Sequence, residues 1–289
     1  MPTETIMFSM DFAAPSLADC GQSKTERSIV PPHPLVILGS GYTARVLWPL
    51  IAGRSPQIFA TSRSPEQHLD YVPVGQRLRF DLADPETWPN IPQETDLIWC
   101  FPAAPLNLVQ QFARRLLPTS SRLIVLGSTS AYDLGDSPEY PPNWIDETSP
   151  IDPTKPRVQG EEFLRTDCGA VILRVAGIYG PGRNPLDWIR RGLVGPSRKY
   201  VNLIHVDDLA AICLAALERG TPGDVYNVSD GHPRTWDDLC RTAEQRWHVR
   251  SPQAAPSQDA GKRISNAKLT HKLGYRIRHS DLYEELDRL

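Results

Sequence analysis

The sequence predicts an α/β protein: a doubly wound parallel sheet with a smaller C-terminal lobe. Three observations lead there. Short continuous apolar runs, the mark of strands buried on both faces, recur from residue 34 and alternate with segments of helical period. The first run, "PLVILGSG", ends in glycines that open a helix. Successive strands are separated by helix-length segments, which calls for crossover connections and a parallel sheet.

The elements follow in order. After "PLVILGSG", "YTARVLWPLIAG" reads as a helix with Val46, Leu47 and Leu50 on one face. Pro49 inside it is expected to kink or shorten it. "QIFATSRS", "RLRFDLAD" and "DLIWCFPAAP" are the second to fourth strands, and "LNLVQQFARRLL" is a helix of clear 3.6 period. "RLIVLGSTSAY" is the fifth strand. A Pro-rich acidic loop leads to a helix around 157–166, then to the strand "AVILRVAGIYG". "HVDDLAAICLAALERG" is a helix, "DVYNVSDG" a strand and "TWDDLCRTAEQRW" another helix. Residues 1–33, which end in a proline cluster, read as a disordered tail. No internal repeat is visible.

Composition narrows the class. A net charge of −3 with scattered basic residues gives no footprint for nucleic acid or an anionic membrane. No apolar run approaches the ~20 residues of a spanning helix. Glu4, Asp11 and Asp19 argue against a leader peptide. The five cysteines are odd in number and widely spaced, without C-x-x-C, so neither zinc nor a disulfide framework is indicated and a reducing cytoplasm fits. No metal site is expected, and the absence of G-x-x-x-x-G-K-[ST] and H-E-x-x-H removes support for NTPase and metallohydrolase readings.

Gly39-Ser40-Gly41-Tyr42-Thr43-Ala44 is G-x-G-x-x-A between a buried strand and a helix. Gly39 permits the tight turn, Gly41 lets backbone approach a diphosphate, and Ala44 lets helix and strand pack closely. The diphosphate would sit on the helix N-terminus. These residues point to a dinucleotide. An NAD site would place an acid at the end of the second strand, but Thr61-Ser62-Arg63-Ser64 stands there. Arg63 among hydroxyls suits a 2′-phosphate, which favours NADP over NAD. A plain solvated loop is the competing reading of Arg63.

"ILGSGYTA", "FDLAD", "GSTSAY", "ILRVAGIYGPGR", "NLIHVDDLA", "VYNVSDG" and "KRISNAKLTHKLGYRI", in this order, resemble an extended short-chain dehydrogenase/reductase of the NAD(P)-dependent epimerase/dehydratase family, over about residues 35–285. The resemblance implies a Rossmann domain over 34–178 and a substrate lobe over 179–289, with 203–229 returning to the core. It places Asp81 and Leu82 beside the adenine and Ala103 and Ala104 along the cofactor cleft near the nicotinamide ribose. Ser128 falls on the catalytic serine position. Tyr179-Gly180-Pro181 would flank the nicotinamide, and His205 lies in the stretch that closes the substrate side. A homodimer packing helices 106–117 and 157–166 is implied too.

In that family a tyrosine exchanges the proton, and a lysine four residues later holds the ribose and lowers the phenol's pKa. Aligned on Glu161, this chain offers Pro153 and Arg157 at those positions. Arg157 keeps a positive charge for the ribose; Pro153 has no proton to exchange. Three substitutes stand open: Tyr132 as the acid or as packing under its loop, Lys155 turned inward, or no acid at all. Asp207 reads as the cap of its helix, with Asp208 complementing the dipole. Arg174, in a buried strand, needs a partner, either a structural acid or a substrate. Arg183, in an exposed loop, suits an anionic substrate.

The expected function is an NAD(P)-dependent oxidoreductase or epimerase-like enzyme acting on a hydroxyl or carbonyl of a small polar, sugar-like molecule, with Ser128, Tyr132 and Arg157 as its chemical groups. A non-catalytic NADP-binding redox sensor or scaffold is the alternative.

Overall fold

The computed structural model describes residues 33–53, 57–116, 122–135, 137, 139–253 and 259–289. Apart from His33, the expected tail lies outside the described residues. Seven strands form one sheet: β1 (Leu35–Leu38), β2 (Ile58–Ser62), β3 (Arg77–Arg79), β4 (Asp96–Trp99), β5 (Leu123–Ser128), β6 (Val171–Val175) and β7 (Val225–Val228). Their order is β7-β6-β5-β4-β1-β2-β3, and every neighbouring pair is parallel. This is a Rossmann arrangement, reversing between β1 and β4, where such sheets bind ligands beyond their carboxyl ends.

The period of two along β1 builds both layers at once. Leu35 and Ile37 join the core with helices α1 (Tyr42–Ile51) and Val206–Arg219, whereas Val36 and Leu38 join the core with α2 (Leu106–Leu116) and α3 (Pro156–Cys168). Helices on both faces explain why the strands read as unbroken apolar runs rather than alternating ones. Among the described residues no helix is long and apolar enough to cross a membrane.

Pro49 does not shorten α1, which continues to Ile51. The carbonyl that Pro49 leaves without a helical donor belongs to Arg45, and both residues are exposed, so water can serve it. A second difference lies after β6. The run "AVILRVAGIYG" is two strands: β6 ends at Val175, and Gly177–Tyr179 pairs instead with Leu203–His205. Ala176 N still bonds Val228 O, while Gly177 N turns to Asn202 O. A Cβ at Gly177 would stand 2.9 Å from Leu203 Cδ2 and 3.2 Å from Asn202 O, so glycine eases the approach of the new neighbour.

A third core, around Tyr179, Leu186, Ile189, Leu203, Leu239 and Leu286, holds the smaller lobe. One buried carboxylate ties the chain's end to the main domain. Asp208 is fully buried and accepts bonds from Tyr275 Oη (2.8 Å), Arg278 N (3.0 Å) and His279 N (2.9 Å), with His279 Nδ1 at 3.1 Å. It is therefore an anchor as well as a helix-terminal acid.

Candidate functional site

The glycine turn has the shape its spacing implies. Gly39 sits at φ +104, and a Cβ there would press on the Phe101 ring at 3.2 Å. Its N–H donates to Thr61 Oγ1 (2.9 Å), which pins the turn to the end of β2. Gly41 has an ordinary φ of −73, and a Cβ there would meet nothing within 4 Å, so open space rather than strain reserves this residue for glycine. It caps α1 without any side-chain bond. The first helical bond runs from Arg45 N to Gly41 O, which leaves the N–H groups of Tyr42, Thr43 and Ala44 outside the helix's own bonding. Some helices of the chain are capped by side chains, as at Asn184, Thr235 and Asp281, whereas α3, which starts after Lys155, is not.

In front of that uncapped start lies a cleft of about 490 Å³. Gly39, Ser40 and Gly41 form its floor, Asp81, Leu82 and Ala83 one wall, and Phe101, Ala104 and Leu108 another. The Asp81 backbone is fixed by Trp88 Nε1, which donates to its carbonyl (3.1 Å), and its carboxylate accepts from Ala83 N (3.0 Å). An extended dinucleotide, with an anionic middle and an apolar-walled adenine pocket, fits these residues.

At the β2 end, Arg63 is exposed on the cleft rim. Sequence reasoning missed two companions. Arg45 lines the cleft from α1, paired with Asp70 (3.2 Å) and stacked on Tyr71 (4.6 Å). His68 shares a hydrogen bond with Ser62 Oγ (2.9 Å). Arg45 falls four residues after Gly41, one helical turn along, which was the available signal.

Ala103 differs from expectation. It is fully buried under α3, where a Cβ on Gly160 would overlap its carbonyl, so Ala104 alone of the pair faces the cleft. Tyr179 is also fully buried, its ring in the lobe core and edge-on to His205 (5.1 Å), and it is not among the residues that line the cleft.

Ser128 ends β5, and its Oγ accepts from Ser130 N (3.1 Å). That bond uses a lone pair and leaves the hydroxyl proton to donate. Tyr132 lies four residues on, 4% exposed, with its hydroxyl donating to Asn227 Oδ1 (2.7 Å) and accepting from Arg174 Nη1 (3.1 Å). Arg174 in turn pairs with Glu162 (2.9 Å). Burial pushes the Tyr132 phenol up against the pull of Arg174. Lys155 does not turn inward: its Nζ donates to Ser130 O (2.6 Å) and Asp133 (3.0 Å). Although burial opposes it, Lys262 and Lys155 hold the Asp133 carboxyl below the usual range. Pro153 is exposed in the turn before α3.

Arg157 projects from the first turn of α3, half-buried, with Nε 3.6 Å from the fully buried Glu161. Across the cleft, Tyr42 Oη donates to Pro181 O (2.9 Å) under the Arg183 guanidinium (5.2 Å). A Cβ on Gly180 would lie 2.8 Å from Tyr42 Oη and 3.2 Å from His205 Nε2, so both groups crowd this turn. His205, not Asp207, caps the Val206–Arg219 helix: its Nδ1 accepts from Asp207 N (3.3 Å), which puts the ring proton on Nε2. Burial first, and then His279, lower the His205 pKa and keep the ring neutral.

Among the described residues, His205, Asp207 and His279 bring three ligand-type atoms within 4.8 Å. The two rings stack at 4.1 Å and 24°, so their in-plane lone pairs run side by side and do not converge on one ion.

No family model matches the chain. The protein YeeZ of Escherichia coli K12 is 30% identical over 173 residues, and the chain spans 59% of the length of that relative. A functionally unknown conserved protein from Silicibacter pomeroyi is 28% identical, with a TM-score of 0.69 over 89% of this chain and 98% of that one. A provisionally assigned NAD-dependent epimerase/dehydratase from Methylobacillus flagellatus is 25% identical, with a TM-score of 0.70 over 89% and 97% of the two chains. At 18% identity, Bordetella bronchiseptica WbmG, solved with NAD and UDP, shares the fold (TM-score 0.69; 89% and 93% covered).

Proposed function

We propose that this chain acts as a member of the extended short-chain dehydrogenases/reductases of the NAD-dependent epimerase/dehydratase family, which its fold resembles: it binds a nicotinamide dinucleotide and acts on a hydroxyl or carbonyl of a small polar, sugar-like molecule. The uncapped start of α1 at Gly41, facing the cleft, carries this reading. When bound, the nicotinamide supplies hydride transfer at the carbon bearing the reacting oxygen. The N–H groups of Tyr42 and Thr43 hold the diphosphate, Asp81 and Leu82 border the adenine, and Ala104 borders the cleft toward the nicotinamide ribose. Ser128 donates its free proton to the substrate oxygen, and Arg157 holds the ribose. The sugar-like class is supported by WbmG, whose structure contains UDP beside NAD.

NADP is favoured over NAD because Arg63, with Arg45 and His68 nearby, rims the β2 end where an NAD site needs a carboxylate. Each subunit of the expected homodimer would carry its own cleft.

A second reading, a non-catalytic NADP-binding sensor, is favoured by the residue at the family's tyrosine position and by the fate of the two side chains that could replace it. Pro153 has no proton, Lys155 is held by Ser130 and Asp133, and Tyr132 is held by Asn227 and Arg174. Titration with NADPH and NADH, followed by turnover on a panel of carbonyl substrates, separates the two. NADPH binding with turnover that Ser128→Ala abolishes supports the enzyme. Binding with no turnover on any carbonyl supports the sensor, and absence of binding overturns both.

A further inference from the structure

Glu161 occupies an unusual position. It is fully buried, and neither carboxylate oxygen has a hydrogen-bond partner. The neighbouring Arg157 Nε, 3.6 Å away, is equally buried and unbonded. Buried polar groups are ordinarily satisfied, so three orphaned atoms at one spot call for an explanation. The surrounding glycines make room for them. A Cβ on Gly127 would meet the carboxylate at 2.7–2.9 Å, so glycine before Ser128 is what admits Glu161 under the end of β5. Gly160 packs on the Ala103 carbonyl and fixes this face of α3 against the exit of β4.

We infer that Glu161 is a positioning residue: from its seat under β5 the ionised carboxylate sets the Arg157 guanidinium toward the cofactor ribose. This rests on the dinucleotide reading above. The role of Glu161 is to hold one nitrogen of Arg157, whose side chain is 32% exposed, and so leave the rest of the guanidinium for the ribose.

Ionisation is the variable. Burial pushes the Glu161 carboxyl up to about 7 against the attraction of Arg157 and Arg174, with like-charged Glu162 adding to the rise. These are the charged groups facing it, from α3 and β6; Gly127, Ser128 and Ala103 contribute none. Below that pH the carboxyl is neutral and its hold on Arg157 weakens. Cofactor affinity therefore rises with pH through about 7.

The test is calorimetric titration of the full chain with NADH and NADPH from pH 5.5 to 8.5, for wild type, Glu161→Gln and Glu161→Asp. NADH has no 2′-phosphate, so a rise seen with both ligands belongs to the protein. The expected result is a roughly tenfold gain in wild-type affinity across the range. Glu161→Gln should remain at the weak end at every pH, and Glu161→Asp should recover part of the rise. A flat wild-type profile with firm binding throughout overturns the inference and leaves the dinucleotide reading standing. A rise that persists in Glu161→Gln assigns it to another group and overturns the inference too. Absence of binding at every pH overturns both. Should Glu161→Gln fail to fold, Arg157→Gln takes its place: a rise that survives the loss of Arg157 overturns the inference, and its disappearance supports it.

Discussion

The two ends of the cleft are built on different principles. Where β1 and β2 meet α1, the proposed ligand contacts are largely backbone: the turn at Gly39, the open space at Gly41 and the free N–H groups behind it. Where β5 meets α3, the groups are side chains that depend on distant partners: Ser128 on its own turn, Tyr132 on Asn227, Arg157 on Glu161. A backbone cradle needs only two small residues and a helix, and it persists as long as the fold does. Side-chain chemistry is lost with one substitution, and the resemblance implies such a change at Pro153. The two ends of the cleft can therefore be tested separately.

Substitutions can break or sharpen that contrast. The largest effect is expected from Gly41→Val, whose φ is permitted and whose side chain meets no protein atom but fills the cradle. NADPH affinity should fall at least ~1000-fold, about 4 kcal/mol, with Tm nearly unchanged. A large fall in Tm would mean that the glycine serves the fold. Next, Ser128→Ala should cut turnover by roughly 10²–10³ and leave NADPH affinity intact, as removal of one oxygen-binding donor does. Parallel loss of affinity in a binding assay would merge the two ends after all.

Glu161→Gln bears on stability as well. The folded carboxyl titrates near 7, above its ordinary 4.5, so its contribution to stability is complete below about pH 4.5 and is lost as pH rises through 7. That gap is worth roughly 3 kcal/mol, so the glutamine variant should melt several degrees above wild type at pH 8.5 and level with it at pH 4. Equal melting at both pH values would place the carboxylate in a wetter setting. Arg63→Ala should weaken NADPH about tenfold and NADH barely; equal weakening of both would remove the phosphate assignment. The smallest effect is expected from Tyr132→Phe, about 1 kcal/mol of stability for its bond to Asn227. A turnover loss as deep as that of Ser128→Ala would instead make Tyr132 the proton donor.

The same contrast governs what could be read in advance. The parallel, doubly wound sheet and the glycine turn were legible because most strands, such as Leu35–Leu38, are contiguous apolar runs and the turn is a contiguous motif. Glu161 was visible only as an alignment mark, since an Arg and a Glu four apart on a helix look like a solvated pair until β5 is laid over them. The partners of Tyr132 lie 95 and 42 residues away in sequence, beyond any local pattern. His205 was passed over as a cap because the two acids behind it have the stronger preference, and only the end of its strand sets the helix start. The buried ring of Tyr179 was obscured by the switch at Gly177, which carries the chain out of the main sheet and into the lobe.

The bonds gathered on Asp208 give the carboxyl-terminal stretch a hereditary signature. Its four contacts come from within Tyr275–His279, and the helix it sits on packs against α1, whose start forms the cradle. Trimming the chain before Tyr275 would strand a carboxylate in the interior and loosen the support of a cleft far along the sequence. Among descendants of a common ancestor, the aspartate and the 275–279 stretch should therefore be inherited or discarded together.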